Sequence, residues 1–129
     1  MQFARCAAIG VVLLMASAAA SRTETVTWTG WFSDQTCAMA HAKGGAFGPT
    51  NPDCAKQCLK KGIPAVFISE DAKAVYLVNG YSAITDDLGY HVRIVAAFDR
   101  EAGSLTVQKV EQLSYEGAAC SRRPKTASH

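Results

Sequence analysis

The residues AVFISEDAKAVYLV, at positions 65–78, contain two short runs that are rich in β-branched and aromatic side chains. Between these runs, EDAK (70–73) is polar and has the length of a hairpin turn. β-Branched and aromatic residues favour strands because they pack well on a pleated surface, whereas polar residues favour the turn. The pattern therefore predicts two strands, 65–69 and 74–78, joined as a hairpin.

Three more runs of the same character flank this hairpin. They are TVTWTGWF (25–32), HVRIVAAF (91–98) and SLTVQKV (104–110). In the second of them, apolar residues at every other position place Val92 and Ile94 on one face of a strand. The sequence therefore predicts five strands in all.

The run NPDCAKQCLKKG (51–62) has the features of an amphipathic helix. Asn51 suits the N-cap and Pro52 suits the first helical position. At helical spacing, Cys54 and Cys58 share one face with apolar residues, and the lysines lie opposite. We therefore expect a helix between the first two strands, with both cysteines on its buried side.

A short helical turn is also expected directly after the first strand, where Asp34 can cap a turn that carries Cys37 and His41. Five strands, one helix after strand one and a short connector between strands three and four fit a small five-stranded antiparallel barrel of the OB type. A five-stranded antiparallel sheet with one helix packed on a face is the alternative.

Residues 1–20 have the three parts of a secretory signal peptide. Arg5 gives a positively charged start, residues 6–16 form a short apolar run, and the segment ends in small residues up to Ala20. The apolar run is shorter than the about 20 residues that a membrane-spanning helix needs. We therefore predict cleavage after Ala20, export to the periplasm or the medium, and no permanent membrane anchor.

The chain that remains after cleavage is predicted to be one domain, 21–113, followed by a C-terminal tail, 114–129. Removing Arg5 from the 13 basic residues leaves 12 against 11 acidic residues, so the net charge is 12 − 11 = +1. This charge is too small to attract nucleic acid. The sequence also contains no Gly-x-Ser-x-Gly elbow and no glycine-rich phosphate loop. We expect a monomer that does not bind nucleic acid, and the balance favours a protein that is not an enzyme.

Four cysteines remain after cleavage, namely Cys37, Cys54, Cys58 and Cys120. An even number of cysteines in a small exported domain points first to disulfides. Three pairings are compatible with four cysteines, and the sequence leaves them open. The scheme that we favour joins Cys37 to one helix cysteine and Cys120 to the other.

The same residues also suggest a metal site. Cys37 and His41 are four residues apart, and so are Cys54 and Cys58, which places each pair on one helical face. Three thiolates and one imidazole are a common ligand set for structural zinc, and thiolate-rich sites also suit Cu(I). A thiol redox pair of Cys54 and Cys58 is a further alternative, since the nearby helix N-terminus lowers a thiol pKa.

Several of these motifs resemble those of a family of short exported bacterial proteins of unknown function. The similar stretches are TGWFSDQTC (29–37), His41, DCAKQC (53–58) and LGYHVRI (88–94). The resemblance implies an OB-like barrel and export, and it implies that Cys37, His41, Cys54 and Cys58 belong together. It brings no established activity.

Together these observations predict an exported domain with a binding or structural role and a disulfide-stabilised cysteine cluster. Binding of zinc or copper through Cys37, His41, Cys54 and Cys58 is the first alternative. Thiol redox chemistry is the second, and the sequence does not identify a partner.

Overall fold

A computed structural model describes residues 22–117, and within this range the protein is mainly β, with five strands and three helices. The strands are β1 (Thr23–Asp34), β2 (Ala65–Ser69), β3 (Ala74–Asn79), β4 (Tyr90–Asp99) and β5 (Ser104–Tyr115). The helices are α1 (Gln35–Lys43), α2 (Pro52–Lys60) and α3 (Ile84–Asp87). The five predicted strands are confirmed. Two helices rather than one separate β1 from β2, because the turn expected after Asp34 continues as a helix of nine residues. In the part of the chain that is described, no helix is long and apolar enough to cross a membrane.

The five strands form one mixed sheet that closes into a ring in the order β1-β2-β3-β5-β4. Four neighbouring pairs are antiparallel, but β3 and β5 are parallel along Leu77–Asn79 and Ser104–Thr106. The prediction of a fully antiparallel sheet is therefore wrong at this pair. The reason is parity, since strand direction alternates at each antiparallel pair and an odd number of strands cannot alternate all the way around a closed ring.

The interior of the ring is filled by side chains from all sides. Its fully buried members include Phe32 of β1, Phe67 of β2, Val92 and Ile94 of β4, and Leu105 of β5. Val92 and Ile94 share one face of β4, as predicted, and that face points into the ring. Burial of each such side chain stabilises the fold by about 1.5–3 kcal/mol.

The two longer helices contact different clusters of apolar residues. Ala38 of α1 packs with Trp31 in one cluster, whereas Ala55 of α2 belongs to the interior cluster that contains Phe32. Trp31 and Phe32 are consecutive in β1, so their side chains point to opposite faces of the sheet. The helices therefore lie on different sides of the same strand, and the end of β1 lies where they meet.

Gly30 is the point at which β1 changes neighbours. It pairs with Ser69 of β2 and with Val92 of β4, so that both edges of β1 are occupied there. A Cβ atom at this position would lie 1.9 Å from the carbonyl oxygen of Ile68, a distance that no side chain can tolerate. The close approach of β2 thus requires glycine at this position, because glycine has no Cβ atom.

Candidate metal centre

The last residue of β1 sets the start of α1. Asp34 has extended backbone geometry, and its Oδ2 accepts a hydrogen bond from the backbone N–H of Cys37 at 3.0 Å. This is an N-cap, which satisfies one of the free N–H groups in the first helical turn. The predicted cap is confirmed, and its geometry places the Cys37 side chain beside the Asp34 carboxylate.

Helix α2 is fixed to the same end of β1 by hydrogen bonds near both of its ends. Before the helix, the hydroxyl groups of Ser33 and Thr50 are 2.5 Å apart and buried. After the helix, the N–H of Gln35 donates to the carbonyl oxygen of Pro64 at 2.9 Å. Because both connections lie next to Asp34 in sequence, α2 is held close to the residue that caps α1.

The N-terminus of α2 also has the predicted cap. The side chain of Asn51 accepts a hydrogen bond from the N–H of Cys54 at 3.0 Å, and Pro52 occupies the first turn. The expectation that both cysteines of α2 are buried is wrong for Cys54, which is exposed, while Cys58 is half-buried. The buried face is centred between Ala55 and Leu59. At about 100° per residue, Cys58 lies about 80° from that centre and Cys54 about 120°.

These elements bring three potential metal ligands together. One carboxylate oxygen of Asp34 and the Sγ atoms of Cys37 and Cys58 all lie within 4.8 Å of one another. Asp34 is fully buried, and its Oδ1 has no hydrogen-bond partner. Most buried polar atoms in proteins are paired, so the unpartnered Oδ1 leaves the Asp34 carboxylate with the capacity to accept a further ligand. We call Asp34, Cys37 and Cys58 the Asp–Cys–Cys cluster.

The electrostatics of the cluster disfavour a free thiolate. Burial raises the pKa of Cys37 to about 12, with further contributions from a hydrogen bond with the Asp34 side chain and from the negative charges of Asp34, Cys58 and Cys54. At neutral pH this thiol is therefore protonated unless a positive charge enters the cluster. A bound cation is such a charge, because coordination deprotonates a thiol directly.

The structure brings together only part of the ligand set that the sequence suggested. Cys37 and Cys58 are in the Asp–Cys–Cys cluster, and Cys54 is close enough for its charge to act on Cys37. His41 is exposed on α1 and lies outside the cluster. Asp34 takes part instead, and its position three residues before Cys37 was the available signal.

The disulfide scheme stays a prediction. Cys37 and Cys58 are free thiols in the structure, and Cys120 lies outside residues 22–117, as does the predicted cleavage site at Ala20. The separation of the Cys37 and Cys58 sulfur atoms is compatible with either a shared metal ion or, after a small movement, a disulfide.

Comparison with known proteins adds no constraint. No protein-family model, no curated protein and no solved structure matches this chain. The family resemblance based on the cysteine motifs therefore stays a prediction.

Proposed function

We propose that this protein is an exported, non-enzymatic metal-binding domain in which Asp34, Cys37 and Cys58 hold a thiophilic metal ion. The observation that carries the proposal is the fully buried Asp34 carboxylate, whose Oδ1 has no hydrogen-bond partner and one of whose oxygen atoms lies within 4.8 Å of two thiol sulfur atoms. A buried polar atom without a partner costs about 1–3 kcal/mol, and a charged one costs more. A metal ion in the cluster offsets this cost.

The spacing of the cluster suits such an ion. Two ligand atoms bonded to one tetrahedral zinc ion, at about 2.0–2.3 Å each, lie roughly 3.5 Å apart. The three potential ligand atoms lie within 4.8 Å of one another, so small side-chain rotations are enough to reach bonding distances. Cys54, whose charge acts on Cys37, is the one other cysteine among the described residues.

The role that fits this position is structural. The ligands come from the end of β1, the first turn of α1 and the second half of α2. Helix α2 contributes Ala55 and Leu59 to the interior core of the ring. A metal ion shared by these elements holds α2 against the ring and links it to α1.

We also propose that the ring is a small OB-like barrel. Support comes from its five strands, their order β1-β2-β3-β5-β4 and the parallel contact between β3 and β5. The near-neutral charge of the chain argues against nucleic acid as its ligand. We place the protein outside the cytoplasm because residues 1–20 have the pattern of a signal peptide.

A disulfide between Cys37 and Cys58 is the second candidate, and the proximity of their sulfur atoms favours it. Export to an oxidising compartment favours it as well. However, a disulfide consumes both thiols and leaves the Oδ1 of Asp34 without a partner. Metal binding accounts for all three members of the cluster, so we rank it first.

Metal content after periplasmic expression of the full chain distinguishes the two candidates. We expect about one equivalent of metal by elemental analysis, and reduced Cys37 and Cys58 by alkylation and mass spectrometry. Cys58→Ser should lose the metal, because it removes a sulfur ligand, whereas His41→Ala should retain it. A Cys37–Cys58 disulfide without metal would support the second candidate, and undiminished metal in Cys58→Ser would reject the proposal.

A further inference from the structure

We propose that the ion is Zn²⁺ and that Asp34 is the residue that selects it against Cu(I). This inference rests on the proposed metal-binding function and identifies the ion. Within residues 22–117, the Asp–Cys–Cys cluster is the one group of three or more Cys, His, Asp or Glu ligands that lie close together. The selectivity for one metal ion over another therefore depends on this cluster.

The first argument is charge. Ionised Asp34, Cys37 and Cys58 carry three negative charges, so Cu(I) would leave a net charge of −2 at the cluster and Zn²⁺ would leave −1. Among the described residues, Asp34 forms no ion pair with a lysine, arginine or histidine that could offset the difference. Because Asp34 is fully buried, uncompensated charge there is costly.

The second argument is the chemical nature of the ligand atoms. Cu(I) prefers soft sulfur ligands from cysteine and methionine, whereas zinc accepts carboxylate oxygen together with thiolates. The Asp34 carboxylate offers a hard oxygen ligand that is already buried in the cluster. It improves a zinc site and contributes little to a copper site.

The nearby thioether does not change this balance. Met39 follows Cys37 by two residues in α1 and is 43% exposed. Residues two apart on a helix do not face each other, so Met39 points away from the side on which Cys37 meets Cys58. The thioether of Met39, which would favour Cu(I), is therefore turned away from the cluster. The third potential ligand, beside the two thiols, is the Asp34 carboxylate.

Substitution of Asp34 by asparagine tests how much the carboxylate contributes to the selection of zinc. An asparagine side chain still caps α1 by accepting the Cys37 N–H, so Asp34→Asn removes the carboxylate charge and keeps the local fold. Even residues that only support a ligand contribute 10–100-fold to metal affinity, so we expect loss of this direct ligand to weaken zinc binding about 100-fold or more. Cu(I) binding should change only a few-fold.

The experiment measures Zn²⁺ and Cu(I) affinities of the full chain by competition with chromophoric chelators, in reducing, oxygen-free buffer. Cys58→Ser should weaken binding of both ions, because both need the sulfur, and His41→Ala should weaken neither. If Asp34→Asn weakens both ions equally or spares zinc, the selective role of Asp34 is overturned while the metal-binding function stands. If the wild-type protein binds neither ion, the proposed function itself fails.

Discussion

At the scale of single residues, Asp34 carries out two tasks with its carboxylate. Oδ2 caps α1 through the N–H of Cys37, and the same carboxylate, whose Oδ1 has no hydrogen-bond partner, is a potential metal ligand in the Asp–Cys–Cys cluster. The sequence is sufficient to predict the first task, because an aspartate between a strand and a helix is a common N-cap. The second task depends on Cys58, which is 24 positions further along the chain, and only the packing of α2 brings it close.

Thiol reactivity gives a test at this scale. In reduced, metal-free protein at pH 8, we expect Cys37 to be alkylated last and Cys54 first. Cys54 is exposed, whereas burial raises the pKa of Cys37 to about 12. Only the thiolate reacts, and a pKa of about 12 leaves about one Cys37 in ten thousand ionised at pH 8.

The measurement is a time course of alkylation followed by peptide mass spectrometry. The difference should shrink as the pH rises towards 12, because Cys37 then ionises. Equal rates for Cys37 and Cys54 at pH 8 would contradict the burial of Cys37.

At the scale of elements, the exposure of the α2 cysteines shows where helical periodicity is informative and where it is not. The pattern correctly predicts the existence of α2, its Asn51 cap and its amphipathic character. It does not fix the direction of the buried face, which is set by Ala55 and Leu59 against the ring interior. Cys54 therefore lies just outside that face and Cys58 at its border, a difference of only about 40° around the helix.

Hydrogen exchange tests whether a metal ion holds α2 in place. With free zinc at about 100 times the dissociation constant, any opening that breaks the site becomes about 100-fold rarer. We expect the amides of residues 53–60, which follow Pro52 in α2, to exchange that much more slowly than after zinc removal.

The amides of Glu101 and Ala102, which donate to Asp99 Oδ1 in the turn between β4 and β5, serve as the internal control, because they exchange through a local opening that leaves the site intact. They should exchange at similar rates in both states. Cys58→Ser should behave as the zinc-free protein does. Equal protection of α2 with and without zinc would argue against its structural role.

At the scale of the whole molecule, the closure of the sheet into a ring is the feature that is hardest to predict from local sequence patterns. Each strand is visible as a run of β-branched and aromatic residues, and the turn between β2 and β3 is equally clear. The parallel contact of β3 with β5 has no local signal, because it follows from joining an odd number of strands end to end. A glycine inside a strand often marks a bulge or a close approach of another backbone, but only the closed ring explains why no side chain fits at Gly30.

Gly30→Ala tests this explanation. The added Cβ would lie 1.9 Å from the Ile68 carbonyl oxygen, so β1 and β2 would have to separate where β1 also pairs with β4. We expect the free energy of unfolding to fall by about 3 kcal/mol or more, measured by urea denaturation. Gly48→Ala is the matched control, since nothing lies within 4 Å of its Cβ position, and it should change stability little. A Gly30→Ala protein as stable as the wild type would contradict the closed ring.

X-ray absorption at the zinc edge tests the Asp–Cys–Cys centre most directly. For the zinc-loaded full chain, we predict at least two sulfur ligands at about 2.3 Å and one oxygen ligand at about 2.0 Å, without the outer-shell scattering of an imidazole. Asp34→Asn should alter the oxygen shell, and His41→Ala should leave the spectrum unchanged. A spectrum with imidazole scattering, or with no sulfur ligands, would contradict the assignment of Asp34, Cys37 and Cys58 as the metal ligands.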